Sequence, residues 1–483
     1  MSIPGEHGDA THSSEAGRPS LLLYAPGTAE DAAVVGDAAL LGALIRTEAA
    51  WILAQADCGL LPEADAAEVV AALGVPADIS VEDLAVAAAS GGNPVIPLLA
   101  HLRERVAGLP GAAALHRGLT SQDVMDTAVS LVLAGTVAEA GARLGRAVEG
   151  FAALAREHRD TPALAHTLTQ AAAPTMAGLR FAQWARSTAD AGEALPNPAA
   201  LPVQLGGAVG TRAAIRQLLE RSDQSASVST SDVESAWAAR LGLSATGRPW
   251  HVDRLRVLGW AQALAGVSLA GQRIARDVLQ GARPEVGELR EAGGGGSSAM
   301  PQKSNPTVSV LLARTGLEAP GLLATVAQAV GSAVDERPDG AWHAEWTALA
   351  RLQVGALTSA RLLDDLVGRL VVDAGAMRRN LDAAGPGVVA ERLVQELAPA
   401  VTAAQISAAL RDARDGAEAR RALEALVGSE RDLDALLDPA GWTGEAGPLV
   451  DAILATLEAE HPQASEDPVT DEEGPAGTSA EVR

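Results

Sequence analysis

The chain has 483 residues, of which 48% are hydrophobic, and carries a formal net charge of −24. This acidic balance argues against nucleic acid or an anionic membrane as a partner, and no run of about 18 or more uncharged apolar residues predicts a membrane span. Cys58 is the single cysteine. Because no Cys/His cluster and no signal-peptide pattern stands in the sequence, we expect a cytoplasmic protein without a metal or other cofactor.

The composition and residue patterns of the chain predict an all-α fold. Aromatic residues make up only 2% of the sequence and β-branched alternation is scarce, which favours three helical domains with a long central helical bundle that assembles into a tetrameric core. The predicted organisation is a disordered tail over 1–19, an N-terminal helical domain over 20–115, the central bundle over 116–371 with a functional loop at 291–306, a C-terminal helical domain over 372–460 and an acidic tail over 461–483.

The first predicted helix runs from about Asp37 to Cys58, where Leu40, Leu44 and Trp51 form an apolar stripe. A turn at Gly91-Gly92-Asn93-Pro94 interrupts the N-terminal domain. The pattern alone favours ordinary turn chemistry for Asn93, with ligand binding as the alternative.

A polar cluster opens the longest predicted helix. Thr120, Ser121 and Asp123 are the residue types of a helix N-cap, and they follow His116 closely. Free N–H groups at a helix start, flanked by hydroxyl groups, also form a receptor for a carboxylate. The cluster is therefore predicted both to begin a helix and to bind an anion, with His116 as a candidate proton donor.

Long helical patterns fill the middle of the chain. Apolar residues recur at steps of three and four from Leu133 to Leu154, and similar patterns cover about 254–289 and 308–334. Such helices bury little apolar surface within one subunit, so we expect them to associate between subunits. Between the first two patterns, Thr167 to Thr175 is interpreted as a loop that enters a helix.

Two further features follow the second pattern. Lys303 is the only lysine, and Asn305 is one of four asparagines, in a stretch that begins with four glycines from Gly293. A flexible linker needs none of Met300, Lys303 or Asn305, and the Walker spacing of a phosphate loop is absent. Farther on, Arg337 fits a surface ion pair and a contact with a ligand equally well.

The stretch from Gly296 to Pro306 resembles the signature GSSxMPxKxNP of the aspartase/fumarase superfamily. His116 to Asp123 and Gln170 resemble two other motifs of that superfamily, and GGNPVIPL around Asn93 is similar to its 3-carboxy-cis,cis-muconate cycloisomerase branch. The resemblance implies a mobile loop that closes over a dicarboxylate, with Ser297 as general base and the Thr120-Ser121 pair as carboxylate holder. It also implies a homotetramer in which each active site collects residues from three subunits.

The same resemblance shows a departure. Relatives that use a histidine as general acid carry it where this chain has Leu168, or directly after the glutamine, where it has Ala171. A leaving group that is a stable anion needs no proton. We therefore expect a lyase that eliminates such an anion from a substituted succinate, as in conversion of nitrosuccinate to fumarate and nitrite. The alternatives are lactonising cycloisomerisation of 3-carboxy-cis,cis-muconate and an inactive structural homologue.

Overall fold

The protein is helical over most of its length. The computed structural model describes residues 22–224, 226–296, 298–411, 413, 415–428 and 431–460. The predicted terminal tails 1–19 and 461–483 lie outside these described residues, and so does Ser297. Within them the all-α prediction is confirmed.

The helices fall into three groups along the chain. Those before the central bundle are α1 (Ala29–Val35), α2 (Asp37–Asp57), α3 (Glu63–Leu73), α4 (Val81–Gly91) and α5 (Val95–Arg105). The next are α6 (Ser121–Glu157), α7 (Ala177–Glu193), α8 (Ala213–Glu220), α9 (Thr230–Leu241), α10 (Leu255–Gly281), α11 (Thr307–Gly331) and α12 (Gly340–Arg369). The last are α13 (Ala374–Ala383), α14 (Ala390–Leu397), α15 (Ala403–Arg411), α16 (Gly416–Val427), α17 (Leu433–Leu437) and α18 (Ala446–Glu460).

Five long helices close into a ring, in which α6 packs on α7, α7 on α10, α10 on α11, α11 on α12 and α12 on α6. The apolar seam of α6 faces this core: its members from Leu133 to Phe151 are buried and Leu154 is partly buried. The three-and-four spacing read from the sequence therefore gives the correct face of the helix. Further clusters of buried apolar side chains lie around α2 to α5 and around α13 to α17, and the domain boundaries stay a prediction.

The chain also contains short strands. Strands β1 (Pro162–Thr167) and β2 (Gln170–Met176) form an antiparallel hairpin, and β3 (Leu289–Glu291) pairs with β4 (Leu370–Val372). The interpretation of residues 167–175 as a loop is therefore wrong. Leu168 and Thr169 adopt positive φ of 49° and 70°. This pair makes the two-residue turn that fits the strand twist, although neither residue is the glycine or asparagine that marks such turns in a sequence.

Two bundle helices stand out for their apolar surface. By length and composition alone, α6 and α11 are apolar enough to cross a bilayer, although each contains charged residues. In the most apolar window, 56% of α6 is buried inside the protein, against 28% of α11. Val310 and Leu317 on α11 are 50% and 70% exposed. One chain therefore leaves much of α11 uncovered.

Candidate active site

A polar stripe on α2 holds the segment that contains His116. Glu48, Trp51 and Gln55 lie three and four residues apart on this helix, and all three are fully buried. Glu48 accepts hydrogen bonds from the backbone N–H of His116 at 3.1 Å and from its ring Nδ1 at 2.7 Å. Trp51 Nε1 donates to the carbonyl of Arg117 at 3.1 Å, and Gln55 Nε2 donates to a carbonyl two residues before His116 at 2.9 Å. The backbone just before α6 is thus fixed by one helix face.

The start of α6 carries an arginine from a distant part of the chain. Thr120 is the N-cap, and Ser121 is the first helical residue and is partly buried. Arg337 donates from Nη2 to Thr120 Oγ1 at 2.5 Å and to the carbonyl of Ala208 at 3.0 Å. No carboxylate of the described residues forms an ion pair with Arg337. This free guanidinium charge at the helix start strengthens the predicted carboxylate receptor.

Asp123 connects the helix start to two other segments. Its buried carboxylate accepts from the N–H of Thr120 at 3.0 Å and from the N–H groups of Gly206 and Gly207 at 2.8 and 2.9 Å. His251 Nε2 lies 2.9 Å from the same carboxylate. A Cβ on Gly206 would stand 2.4 Å from the His251 ring, so this close packing requires glycine. Asp123 is therefore the centre of a rigid polar network behind the receptor.

One turn further along α6, a second buried network ties three bundle helices together. Arg254 donates to Asp126 at 2.7 Å and to Glu345 at 2.5 Å, and Trp342 Nε1 donates to Asp126 at 3.0 Å. Burial raises the pKa of Glu345, against the opposing charge of Arg254. Burial lowers the pKa of Arg254, but the nearby carboxylates of Asp126 and Glu345 raise it, and the net pKa lies above the ordinary value. These contacts fix α6, α10 and α12 relative to one another.

Asn93 serves its own turn. Its Oδ1 accepts from the N–H of Val95 at 3.1 Å, and its Nδ2 donates to the carbonyl of Gly91 at 3.2 Å. These contacts agree with the turn chemistry that the pattern favours. His343 on α12 approaches the same turn, because its Nε2 lies 3.5 Å from where a Cβ on Gly92 would stand.

The segment 291–306 is anchored at its base. Glu291 accepts from the N–H groups of Val308 and Ser309 at 3.0 and 2.8 Å, so its carboxylate caps the first turn of α11. Gly295 and Asn305 exchange backbone hydrogen bonds of 2.9 and 2.8 Å. Gly295 and Asn305 therefore form the paired base of this segment, and the predicted base Ser297 lies outside the described residues.

Of the predicted site residues described in this segment, Lys303 is exposed and Asn305 is half-buried. Lys303 is exposed, and its ammonium group makes no ion pair or hydrogen bond with the described residues. Asn305 donates from Nδ2 to the carbonyl of Gly296 at 3.3 Å. A Cβ on Gly294 would stand 2.6 Å from the carbonyl of Asn305, so the paired base needs glycine at this position. The unpaired Lys303 leaves a compact positive charge available to an anion.

Gln170 lies at the tip of the β1–β2 hairpin and is exposed; its nearest described partner is Thr169 Oγ1, at 3.4 Å. Leu168 beside it is 96% exposed. Sequence reasoning passed over His166, which lies directly opposite Ala171 in the strand register. Side chains of directly opposed residues share a face of the hairpin, so an imidazole stands next to the position where the superfamily's cycloisomerase branch carries one.

A single chain brings together only part of the predicted site. Thr120, Ser121, Arg337 and His116 lie at the start of α6, whereas Lys303 and Asn305 lie in their own loop and Gln170 lies at the hairpin tip. A cavity of about 810 Å³ lies between α6, α7 and α18, and none of the sequence-predicted site residues lines it. Glu48 was missed by sequence reasoning, although its spacing with Trp51 and Gln55 on a predicted helix was a usable signal.

The chain is similar in sequence to known proteins. A family model described as lyase matches residues 35–321. The chain is 38% identical over 435 residues to a nitrosuccinate lyase of Streptomyces davaonensis, covering 87% of this chain and 91% of that protein. It is 34% identical to a 3-carboxy-cis,cis-muconate cycloisomerase of Bradyrhizobium diazoefficiens, covering 88% of this chain and 95% of that protein.

Solved structures agree. The crystal structure of a 3-carboxy-cis,cis-muconate lactonizing enzyme from Pseudomonas putida superposes with a TM-score of 0.80 at 30% identity, covering 91% of this chain and 99% of the other. A fumarate lyase from Mesorhizobium sp. BNC1 gives a TM-score of 0.76 at 28% identity, covering 88% and 97%. The chain therefore belongs to the lyase family and is an enzyme of the aspartase/fumarase superfamily.

Proposed function

We propose that the protein converts nitrosuccinate to fumarate and nitrite. The observation that carries this proposal is the 38% identity to a nitrosuccinate lyase over nearly the whole of both chains. In the reaction, Ser297 removes a proton from the carbon beside a carboxylate, the carbon–nitrogen bond breaks, and its electron pair leaves with nitrite. Nitrite is a stable anion, so the absence of histidine at Leu168 and Ala171 is compatible with this chemistry.

The two anionic ends of the substrate need different partners. One carboxylate binds at Thr120 and Ser121, where helix N–H groups, hydroxyl groups and the guanidinium of Arg337 converge. Negative charge that develops as the proton leaves is stabilised by Lys303 and Asn305 on the loop. His116, Gln170 and Asn93 complete the predicted set, and the turn contacts of Asn93 give it the weakest claim to the substrate.

The active enzyme is, in this proposal, a homotetramer with active sites shared between subunits. Two observations support the assembly. The exposed apolar face of α11 includes Val310 and Leu317, and large uncovered apolar surfaces are typical of subunit interfaces. Lys303 in the loop and Gln170 at the hairpin tip are exposed in one chain, as expected for groups that complete a site on another copy.

A second candidate function is lactonising cycloisomerisation of 3-carboxy-cis,cis-muconate. The TM-score of 0.80 to the P. putida lactonizing enzyme favours it, and so does the position of His166 opposite Ala171. The His166→Ala variant separates the two reactions, because only a reaction that needs this imidazole loses rate when it is removed.

Paired assays on the purified protein test the proposal. One offers nitrosuccinate and follows nitrite and fumarate; the other offers 3-carboxy-cis,cis-muconate and follows the loss of its ultraviolet absorbance. Nitrite and fumarate in equal amounts support the elimination. Turnover of the muconate alone rejects it in favour of the second candidate, and no turnover of either substrate rejects both.

The role of Ser297 has its own test. Loss of a general base lowers kcat by about 10²- to 10⁴-fold, so we expect Ser297→Ala to lose activity to this extent while substrate binding persists. Ser298→Ala, which changes the neighbouring hydroxyl, is the matched control. Wild-type turnover by Ser297→Ala removes Ser297 from its assigned role.

A further inference from the structure

Glu48 is an unusual carboxylate in this protein because it is fully buried and the described contacts of both its oxygens are with one residue. Its side chain has 0% exposure, and that of His116 has 12%. Oε2 accepts from the backbone N–H of His116 at 3.1 Å, and Oε1 lies 2.7 Å from ring Nδ1. A buried carboxylate is costly without compensating partners, so this geometry ties Glu48 closely to His116.

The contact fixes the position of one proton. With Glu48 ionised, its carboxylate has no hydrogen to donate, and Nδ1 carries the hydrogen of the 2.7 Å contact. Nε2 then lies on the opposite side of the ring from Glu48. A histidine whose one ring nitrogen is held by a carboxylate presents its other nitrogen in a defined orientation and protonation state.

The backbone contact has a second effect. His116 has a φ of 55°, in the left-handed region that residues with a side chain seldom adopt. The bond from its N–H to Glu48 holds this conformation, and the contacts of Trp51 and Gln55 hold the residues on either side. The backbone that carries the ring is therefore held by several buried hydrogen bonds, and the ring itself by its contact with Glu48.

We propose that Glu48 is a positioning residue, which keeps the ring of His116 protonated at Nδ1 and turned so that Nε2 meets the substrate next to the carboxylate bound at Thr120. The proposal rests on the proposed elimination and deepens it, because His116 lies four positions before Thr120, at the helix start that receives the anion. When Nε2 also carries a hydrogen, it donates a hydrogen bond to an oxygen of a substituted dicarboxylate, and Glu48 acts only through His116.

Steady-state kinetics on the assembled enzyme test the coupling with nitrosuccinate as substrate. Removal of a partner that orients a metal-bound histidine costs about 10- to 100-fold, and we expect Glu48→Gln to lower kcat/KM by a similar factor. His116→Gln is expected to lose at least as much, and the double variant no more than His116→Gln alone. Multiplied losses in the double variant overturn the proposal, because Glu48 then acts independently of His116.

Asp31→Asn is the matched control for loss of a buried carboxylate. Asp31 has 0% exposure and bonds to Arg143 and Arg361, far in sequence from His116. We expect this variant to lose stability while its kcat stays within about twofold of wild type. A twofold change in kcat is small beside a tenfold change, which corresponds to about 1.4 kcal/mol. A loss in Asp31→Asn equal to that in Glu48→Gln reduces the role of Glu48 to folding and overturns the proposal.

A spectroscopic measurement is independent of the substrate. Magic-angle-spinning NMR of sedimented full-length protein with ring-¹⁵N histidine, with His116→Gln identifying the signals, reports which ring nitrogen of His116 carries hydrogen. Hydrogen on Nδ1 in wild type, with a second state appearing in Glu48→Gln, supports the proposal; a bare Nδ1 in wild type overturns it. If the NMR result holds while nitrosuccinate is not turned over, the proposed function fails and the placement of the ring by Glu48 stands.

Discussion

The helix start at Thr120 and the loop at 291–306, which are proposed to carry complementary halves of the chemistry, are built in opposite ways. At the helix start, Asp123 accepts from Thr120, Gly206 and Gly207, and the preceding segment is bound to α2. In the loop, the described contacts concentrate at the base, in Glu291 and the Gly295–Asn305 pair, and Lys303 is exposed.

The contrast indicates a division of labour. Preorganised donors bind an anion without a cost of rearrangement, which suits the group that first receives the substrate. A loop fixed only at its ends can open for exchange and close for reaction. In this protein the described contacts around Asp123 form a dense buried network, whereas Lys303 is exposed.

The largest expected effect concerns Lys303 in the loop. Lys303→Arg replaces a compact ammonium group with a planar fork of different shape and hydration. Loss of a donor aimed at developing negative charge costs about 10²- to 10³-fold in kcat, and we expect a loss near the lower end, with unchanged thermal unfolding. Arg290→Lys, at an exposed position of β3, is the control. If Lys303→Arg has wild-type kcat, the uniqueness of this lysine has no catalytic meaning.

The next largest effect concerns the Asp123 network at the start of α6. Asp123→Asn replaces one acceptor oxygen with an amide that faces buried N–H groups. Breaking a buried charged network costs about 3 to 5 kcal/mol, and we expect a loss near the lower limit in urea unfolding, with a raised KM. The exposed Glu68→Gln provides the baseline. Equal unfolding midpoints for Asp123→Asn and Glu68→Gln would show that the network does not stabilise the helix start.

A pair of glycine variants sharpens the description of the loop base. A Cβ on Gly294 would stand 2.6 Å from the carbonyl of Asn305, whereas a Cβ on Gly296 meets nothing within 4 Å. We expect Gly294→Ala to open the paired base and to speed cleavage of the loop by an added protease about tenfold, as a cost of about 1.4 kcal/mol implies. Gly296→Ala should be cleaved no faster than wild type. The opposite order contradicts the assigned base.

The smallest effect concerns the far end of α2, which ends at Asp57. The hydrogen bond from Arg240 lowers the pKa of Asp57 below its usual 3.8, although burial opposes the shift. A lowered folded-state pKa gives stability that is present above the unfolded pKa and lost as the pH falls through the folded pKa. Since both side chains are about one third or more exposed, Asp57→Asn should cost less than about 1 kcal/mol at pH 7.

Urea unfolding of wild type and Asp57→Asn as a function of pH measures this contribution. The difference should vanish once the pH lies below the lowered pKa of Asp57. A difference that persists in strong acid means that the pair does not act through its charge.

The sequence predicted those parts of the fold that depend on local periodicity. The seam of α6 and the extent of α2 follow from apolar spacing, and the loop signature follows from residues adjacent in the chain. The hairpin was missed because its turn uses Leu168 and Thr169 in a backbone conformation that their side chains disfavour.

Long-range pairing explains the remaining omissions. Glu48 meets His116 across 68 residues, and Arg337 meets Thr120 across 217 residues. No local pattern encodes such a partner, since the choice depends on how α2 and α12 pack on α6. Local motifs in the sequence therefore supply the candidate site residues, which stay predictions, whereas the contacts that orient them could not be predicted.

The paired base of the loop also limits how far its charge can travel. Lys303 is two residues from Asn305, which is hydrogen-bonded to Gly295. A chain spans at most about 3.3 to 3.6 Å per residue, so the Cα of Lys303 lies within roughly 7 Å of the Cα of Asn305. The reach of the Lys303 ammonium group is therefore limited to the surroundings of Asn305. In the proposed reaction, the helix start at Thr120 must therefore lie close to Asn305. The relative placement of these two surfaces, rather than the length of the loop, then decides whether Lys303 reaches the substrate.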